Sequence, residues 1–216
     1  MRIIDYLNMG QVLDYQRYLN LQNRLRVRRR ELILFCQHNH TLTAGVQASQ
    51  DNLLRRPGER EAGIYFIKRG GDFTAHEPGQ CVIYPHLDLR RRQIKMTDFF
   101  ESLLKITGES MARIWNLAVE SRRDAPGLYL CSSRHKIASI GLELRSQFSG
   151  HGIAINVSNS LRTFEYINPC GEPGLELTTV ERCGGDPKLQ PDFCRTWVEL
   201  FQKRFQNQLT SAVPFD

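Results

Sequence analysis

From Gly10 to Arg28 apolar residues recur at mixed three- and four-residue steps, at Val12, Leu13, Tyr15, Leu19, Leu21 and Leu25, with polar residues between them. This pattern predicts an amphipathic helix. Glu31–Cys36 is a short continuous apolar run and predicts a buried strand. His38–Gly45 reads as a turn, and the polar, arginine-rich stretch Asp51–Gly63 as a surface loop. Ile64–Ile67 predicts the next strand, which feeds a turn at Arg69-Gly70-Gly71. Extended structure resumes at Cys81–Tyr84 and is expected to end at Pro85. Asp98 and Glu101 have the spacing of a capping box. Phe99, Phe100, Leu103, Leu104 and Ile106 continue it as an amphipathic helix, which Gly108 interrupts or ends.

The stretch from Leu117 to Val157 is strand-rich, with runs at 117–119, 127–130, 136–140 and 153–157 separated by turn residues. Pro191-Asp192 opens a last helix over about residues 192–209, with Phe193, Trp197, Leu200, Phe201 and Phe205 on one face. No internal repeat or low-complexity linker divides the chain. The expectation is one compact α/β domain over residues 1–216, long enough to bury a sizeable core without disulfides.

Composition, 41% hydrophobic and 24% charged, excludes the disordered and fibrous classes. No segment approaches the ~20 continuous apolar residues needed to cross a bilayer. The N-terminus has no long apolar region and no small-residue cleavage site, and Asp5 and Asp14 argue against a transit peptide. A cytosolic protein is therefore expected. The six cysteines include no C-x-x-C pair, which argues against a closely spaced zinc site. In a reducing cytosol they stay free. Cys36, Cys81 and Cys131 sit in apolar runs and read as small buried hydrophobes, while Cys183 and Cys194 have no assigned role. The net charge is +6, with arginines clustered at 26, 28, 29 and 30 and again at 90, 91 and 92. Such clusters fit nucleic acid, an anionic membrane, an acidic protein or simply a solvated face.

The candidate chemistry lies in three places. Cys170 stands between Pro169, which stiffens the turn, and Gly171, which permits a close backbone approach. That arrangement suits an exposed nucleophile beside a backbone N–H for a developing oxyanion, but taken alone it is more often a loop cysteine with no role. Lys136 opens an apolar strand, as either a strand-end gatekeeper or a functional amine. An ammonium near Cys170 would keep the thiolate charged and could relay protons. His76 reads as part of a glycine-rich turn over Arg69–Gln80, where the backbone N–H groups of Gly70 and Gly71 can approach a carbonyl or a phosphate, although two glycines also make an ordinary turn. His151 is equally ambiguous. His38, His40, His86 and His135 read as surface or structural residues.

Four ordered blocks carry a resemblance that none carries alone. Arg69-Gly-Gly-Asp-Phe-Thr-Ala-His-Glu-Pro-Gly-Gln80, Lys136-Ile-Ala-Ser-Ile-Gly141, His151-Gly-Ile-Ala-Ile-Asn-Val157 and Ile167-Asn-Pro-Cys-Gly171 resemble the lipoyl(octanoyl) transferases in order and spacing. The likeness is strongest from residue 31 to 180. It implies the α/β fold of the biotin/lipoate protein ligase catalytic domain, a mixed, largely antiparallel sheet flanked by helices. It implies Cys170 as the acyl-carrying nucleophile and Lys136 as its activating amine. Arg69, Gly70, Gly71, Asp72, Phe73, Thr74, Ala75 and His76 match substrate-lining segments, as do Ser139, Ile140 and Gly141, and Gly152, Ile153 and Ala154.

The implied reaction moves an octanoyl group from octanoyl-acyl carrier protein to one lysine of a lipoyl domain, with no ATP, cofactor or metal. The implied acceptors are the lipoyl domains of 2-oxoacid dehydrogenase complexes and the glycine cleavage H protein. Neither nucleic acid nor membrane is an implied partner. The Gly70-Gly71 turn and the backbone near Cys170 are candidate oxyanion donors. Ile140, Ile153 and Ile155 are candidates for the acyl tunnel or for plain core packing. One departure stands out: the family usually has His-Gly-Pro-Gly-Gln where this chain has His76-Glu77-Pro78-Gly79-Gln80. A positive φ or a substrate contact at that glycine would make Glu77 strained or crowding. The rivals are an ATP-dependent lipoate ligase on the same fold and a basic nucleic-acid-binding module.

Overall fold

The computed structural model describes residues 2–58 and 60–205. In chain order it contains β1 (Arg2–Asp5), α1 (Tyr15–Val27), β2 (Leu32–Cys36), β3 (Thr41–Ala44), β4 (Gly63–Phe66), β5 (Phe73–His76) and β6 (Gln80–His86). Then follow α2 (Met96–Trp115), β7 (Val119–Ser121), β8 (Gly127–Leu130), β9 (Lys136–Arg145), β10 (Phe148–Asn156) and α3 (Gln190–Phe205). The last expected helical residues, 206–209, lie outside the described residues.

A seven-stranded sheet runs in the order β1-β2-β6-β10-β9-β8-β7 and is antiparallel except for the parallel β1–β2 pair. Alternation along β2 and β6 builds both of its faces. Ile33, Phe35, Cys81 and Ile83 pack under α2 and α3, whereas Leu32, Leu34, Cys36, Val82 and Tyr84 pack under α1. A second, three-stranded sheet, β4-β3-β5, closes over Leu161, Phe164, Tyr166 and Ile167. The mixed, largely antiparallel α/β architecture is thus present.

Several local readings are corrected. The first helix starts at Tyr15 rather than Gly10, because the Asp14 side chain accepts from Arg17 N and caps it. His38–Gly45 contains β3, and residues 73–76 of the expected glycine-rich turn form β5. These two strands pair with each other, so each depends on a partner some thirty residues away. Strand β6 continues through Pro85. The β10–β6 ladder has already stopped at Ile153–Ile83, so the missing N–H removes no rung on that side. Asp98 is not a cap: α2 begins at Met96, and Asp98 lies in its first turn, where a negative charge suits the helix dipole. Gly108 neither interrupts nor ends α2, since one helical glycine costs only about 1 kcal/mol against the burial of Phe99, Leu103 and Ile106. The left-handed Asn116 ends it instead, which displaces the following strand from 117–119 to Val119–Ser121. Cys131 is exposed, whereas Cys36, Cys81 and Cys194 are buried. Among the described residues no helix is long and apolar enough to cross a membrane.

Candidate active site

Cys170 sits in a one-turn 3-10 helix, Pro169–Gly171, with φ 60, followed by Gly171 with φ 74. Two successive left-handed residues are costly for a non-glycine chain and persist only where neighbours hold them. Asn168 N donates to Asn52 O at 2.8 Å, Gly171 N to Asn168 O at 3.1 Å and Glu172 N to Pro169 O at 3.1 Å. A Cβ on Gly171 would stand 2.9 Å from Asp72 Oδ2, so the turn accepts only glycine there.

Lys136 is fully buried at the start of β9, an interior strand, which removes the gatekeeper reading. Its Nζ donates to Cys170 Sγ at 2.9 Å and to Pro126 O at 2.9 Å, and lies 5.2 Å from the Tyr129 ring centroid. Among the described residues no carboxylate pairs with it. The amine reaches the sulfur through a gap left by Gly127, whose added Cβ would stand 2.5 Å from Lys136 Cε.

Cys170 faces a cavity of about 430 Å³, within the range of small-molecule sites. Of the segments expected to line it, Arg69–Thr74, His76, Ser139–Gly141 and Gly152–Ala154 do so. Ala75 does not: alternation along β5 turns it into the core with Leu42 and Phe164. Ile140 and Ile153 reach the cavity, but Ile155 belongs to the core under α2 and α3. Tertiary structure adds residues that no motif marks, notably Tyr15 from α1, Met96 and Phe100 from α2 and the 124–126 loop. Only the amphipathic spacing of α1 and α2 gave a sign of these helices, and it did not say which turn faces the site.

Arg69 is buried and its guanidinium donates to Thr43 O at 2.7 Å, Thr43 Oγ1 at 2.8 Å and Gly70 O at 3.0 Å. Burial draws its pKa below the usual arginine value. Gly70 N–H is already spent on Leu142 O at 2.9 Å, so it is no oxyanion donor, whereas Gly71 N–H has no acceptor among the described residues. Thr74 Oγ1 is likewise buried without a partner.

The four buried histidines, His38, His76, His86 and His151, are neutral fixtures. His76 lies on β5 rather than in a turn, shares a hydrogen bond with Gln80 Oε1 at 3.1 Å and stacks on Tyr15. Gln80 Nε2 donates to Ala75 O and Asn156 Oδ1, which leaves Oε1 as the acceptor and His76 Nδ1 as the donor. Burial holds His76 well below the usual histidine range and pushes His151 down to about 3. His38 and His86, buried under α1, are both pushed down to about 4 by the same cause.

Glu77 leaves the cavity alone. Its φ is not positive, and its buried carboxylate turns toward residues 159–163. There it accepts from Asn159 Nδ2 at 2.9 Å, Thr163 N at 3.1 Å, Thr163 Oγ1 at 2.8 Å and Leu161 N. The concern that it crowds the acyl pocket is removed.

A buried lysine amine on a thiol, at the wall of a cavity of small-molecule size, is an arrangement suited to group transfer. The lipoyl protein ligase A/B catalytic domain family matches residues 8–202. An octanoyltransferase of Leptospira interrogans serovar Lai is 44% identical over 190 residues, covering 86% of this chain and 87% of that protein. An octanoyltransferase of Baumannia cicadellinicola is 34% identical over 203 residues, covering 92% and 88%. Among solved structures, a bi-partite lipoate protein ligase of Thermoplasma acidophilum superposes with a TM-score of 0.64 at 12% identity, covering 94% of this chain and 82% of that one. Lipoate-protein ligase A bound with ATP gives 0.64 at 12% identity, covering 100% and 87%. The likeness to these structures shows the fold. The chain belongs to the lipoyl protein ligase A/B catalytic domain family and, within it, to the lipoyl(octanoyl) transferases, and is an acyltransferase.

Proposed function

We propose that the protein transfers an octanoyl group from octanoyl-acyl carrier protein to one lysine of a lipoyl domain, through a thioester on Cys170. The observation that carries this reading is the 2.9 Å contact between Lys136 Nζ and Cys170 Sγ at the wall of the cavity. An amine within hydrogen-bonding reach of the sulfur pairs a nucleophile with a group that can hold and return its proton. Cys170 attacks the carrier thioester, and the departing pantetheine thiolate takes a proton from Lys136. Thioester exchange is nearly isoenergetic, so no ATP enters. The acceptor lysine then attacks the acyl-enzyme and forms an amide, in a ping-pong cycle. The octanoyl chain lies against Ile140, Ile153, Val82 and Phe100, and Gly71 N–H and Thr74 Oγ1 are available to the thioester carbonyl.

Relatives named octanoyltransferase support the transferred group, and those named lipoate protein ligase support the lipoyl-domain acceptors. The whole chain, residues 1–216, acts as one catalytic domain, and the reaction belongs to the cytoplasm. Intact-mass analysis after incubation with octanoyl carrier protein tests the reading. One octanoyl adduct, absent from Cys170→Ala, is the expected result; an undiminished adduct in that variant overturns it. Pyrophosphate release from ATP and free octanoate would instead make the protein a ligase.

A further inference from the structure

Resting on that reading, the second half-reaction has a proton that the Cys170–Lys136 pair cannot take. The acceptor lysine arrives as an ammonium with three N–H protons, and the amide keeps one. Acylation has left Lys136 neutral, so it recovers one proton as the C–S bond breaks and Cys170 departs as thiolate. The other needs a second base. The geometry points to Asp72, which we propose takes the first proton from the acceptor's ammonium and so frees the attacking lone pair.

Asp72 lines the same cavity as Cys170, and the Cys170 turn runs against it: a Cβ on Gly171 would lie 2.9 Å from Asp72 Oδ2. The carboxylate is held in place. Phe73 N donates to Oδ1 at 2.6 Å and Asn52 Nδ2 donates to Oδ2 at 2.6 Å. Each oxygen keeps a lone pair, as a base oriented by a third group requires. Asn52 also accepts from Asn168 N at 2.8 Å, so one side chain aligns the base while its backbone anchors the nucleophile's turn. Asn52 is thus a positioning residue. The reaction balances: the amide C–N bond forms and the thioester C–S bond breaks. One proton passes to Lys136, and one passes to Asp72 and then to water. Two other carboxylates lie nearby and suit the task less. Asp124 is engaged by Arg122 at 2.7 Å with its side chain 71% exposed, and Glu172 does not line the cavity.

The test starts from isolated octanoyl-enzyme, so that failure to load would count against the thioester reading and not against Asp72. Discharge is measured with a lipoyl domain and, separately, with hydroxylamine, an amine that is uncharged at neutral pH and needs no prior deprotonation. Asp72→Asn should slow discharge to the lipoyl domain by about 10²-fold or more, the usual contribution of a general base, and leave hydroxylamine discharge within a few-fold of wild type. A purely structural role would slow both together. Equal slowing, slowing of neither, or the same split appearing in Asp124→Asn instead would overturn the assignment. Asp72→Ala supplies a second reading: added formate should restore its discharge to the lipoyl domain, and absence of rescue in a loaded Asp72→Ala enzyme counts against Asp72.

Discussion

Glu77 stands where this family's motif usually carries glycine, and its surroundings explain how a carboxylate fits. It gathers the donors of residues 159–163, the segment that leads into the Cys170 turn. His40 Nδ1 completes the group by donating to Thr163 Oγ1 at 2.7 Å, since that hydroxyl's own proton goes to Glu77. Removing the carboxylate strands several buried donors, each costing about 1–3 kcal/mol. Glu77→Gly should therefore lower unfolding stability by about 3 kcal/mol or more. Glu77→Gln, which still accepts through one oxygen, should lose less. Denaturant midpoints decide the matter, and a neutral Glu77→Gly would show that the segment is held by packing alone. At this scale the sequence marked Cys170 and Lys136 by their neighbours. It could not show that they touch, because their 34-residue separation is closed by the sheet that carries Lys136 together with the long-range hydrogen bonds that anchor the Cys170 turn.

Elements position the pair. Strand β9 carries Lys136 and strand β8 begins at Gly127, with the backbone turned to φ +153 beside the lysine stem. Any side chain at 127 is strained and enters the space of Lys136 Cε. A Cβ there also meets Ala138 O of β9 at 2.4 Å, so Gly127→Ala should displace both that strand's backbone and the lysine amine, and we expect octanoyl loading of Cys170 to fall by about 10²-fold with a loss of stability beside it. The rate of loading, read beside a circular dichroism spectrum, checks this; normal loading would mean that the lysine has another path. Long elements such as α1, α2 and α3 were legible because their apolar spacing repeats over several turns. The small sheet was not, because β3 and β5 are four residues each and owe their form to each other.

The whole molecule adds two properties. One is acid sensitivity. An unfolded histidine takes up a proton near its ordinary pKa of about 6.5, while folded His38 and His86 resist until about 4 and His151 until about 3. Stability is therefore complete above about 6.5 and falls as pH drops, because the unfolded chain binds protons that the folded chain refuses. Each such histidine contributes a loss of about 1.4 kcal/mol per pH unit within its window. Urea midpoints at pH 7.5 and 5.5 should differ markedly, and equal midpoints would refute the buried-neutral assignment. The other property is a patch assembled from two distant arginine clusters. Arg29 bonds Asp88 and Arg92 bonds Glu31, which brings the clusters together and leaves Arg28, Arg30, Arg90 and Arg91 exposed. Acidic carrier proteins would be steered to such a patch, so loading from the carrier should slow as ionic strength rises. A salt-independent rate constant would end that idea.

By itself the sequence determined the family and the main helices and strands and singled out Cys170 and Lys136 as candidates, since these are written in short motifs and local periodicity. Only the tertiary structure decided that Lys136 lies on Cys170, that Ala75 turns away from the cavity, that Glu77 braces a loop and that Asp72 faces the nucleophile's turn. The reason is physical: each of those facts depends on distances between residues far apart in the chain, which the paired strands set and no local pattern records.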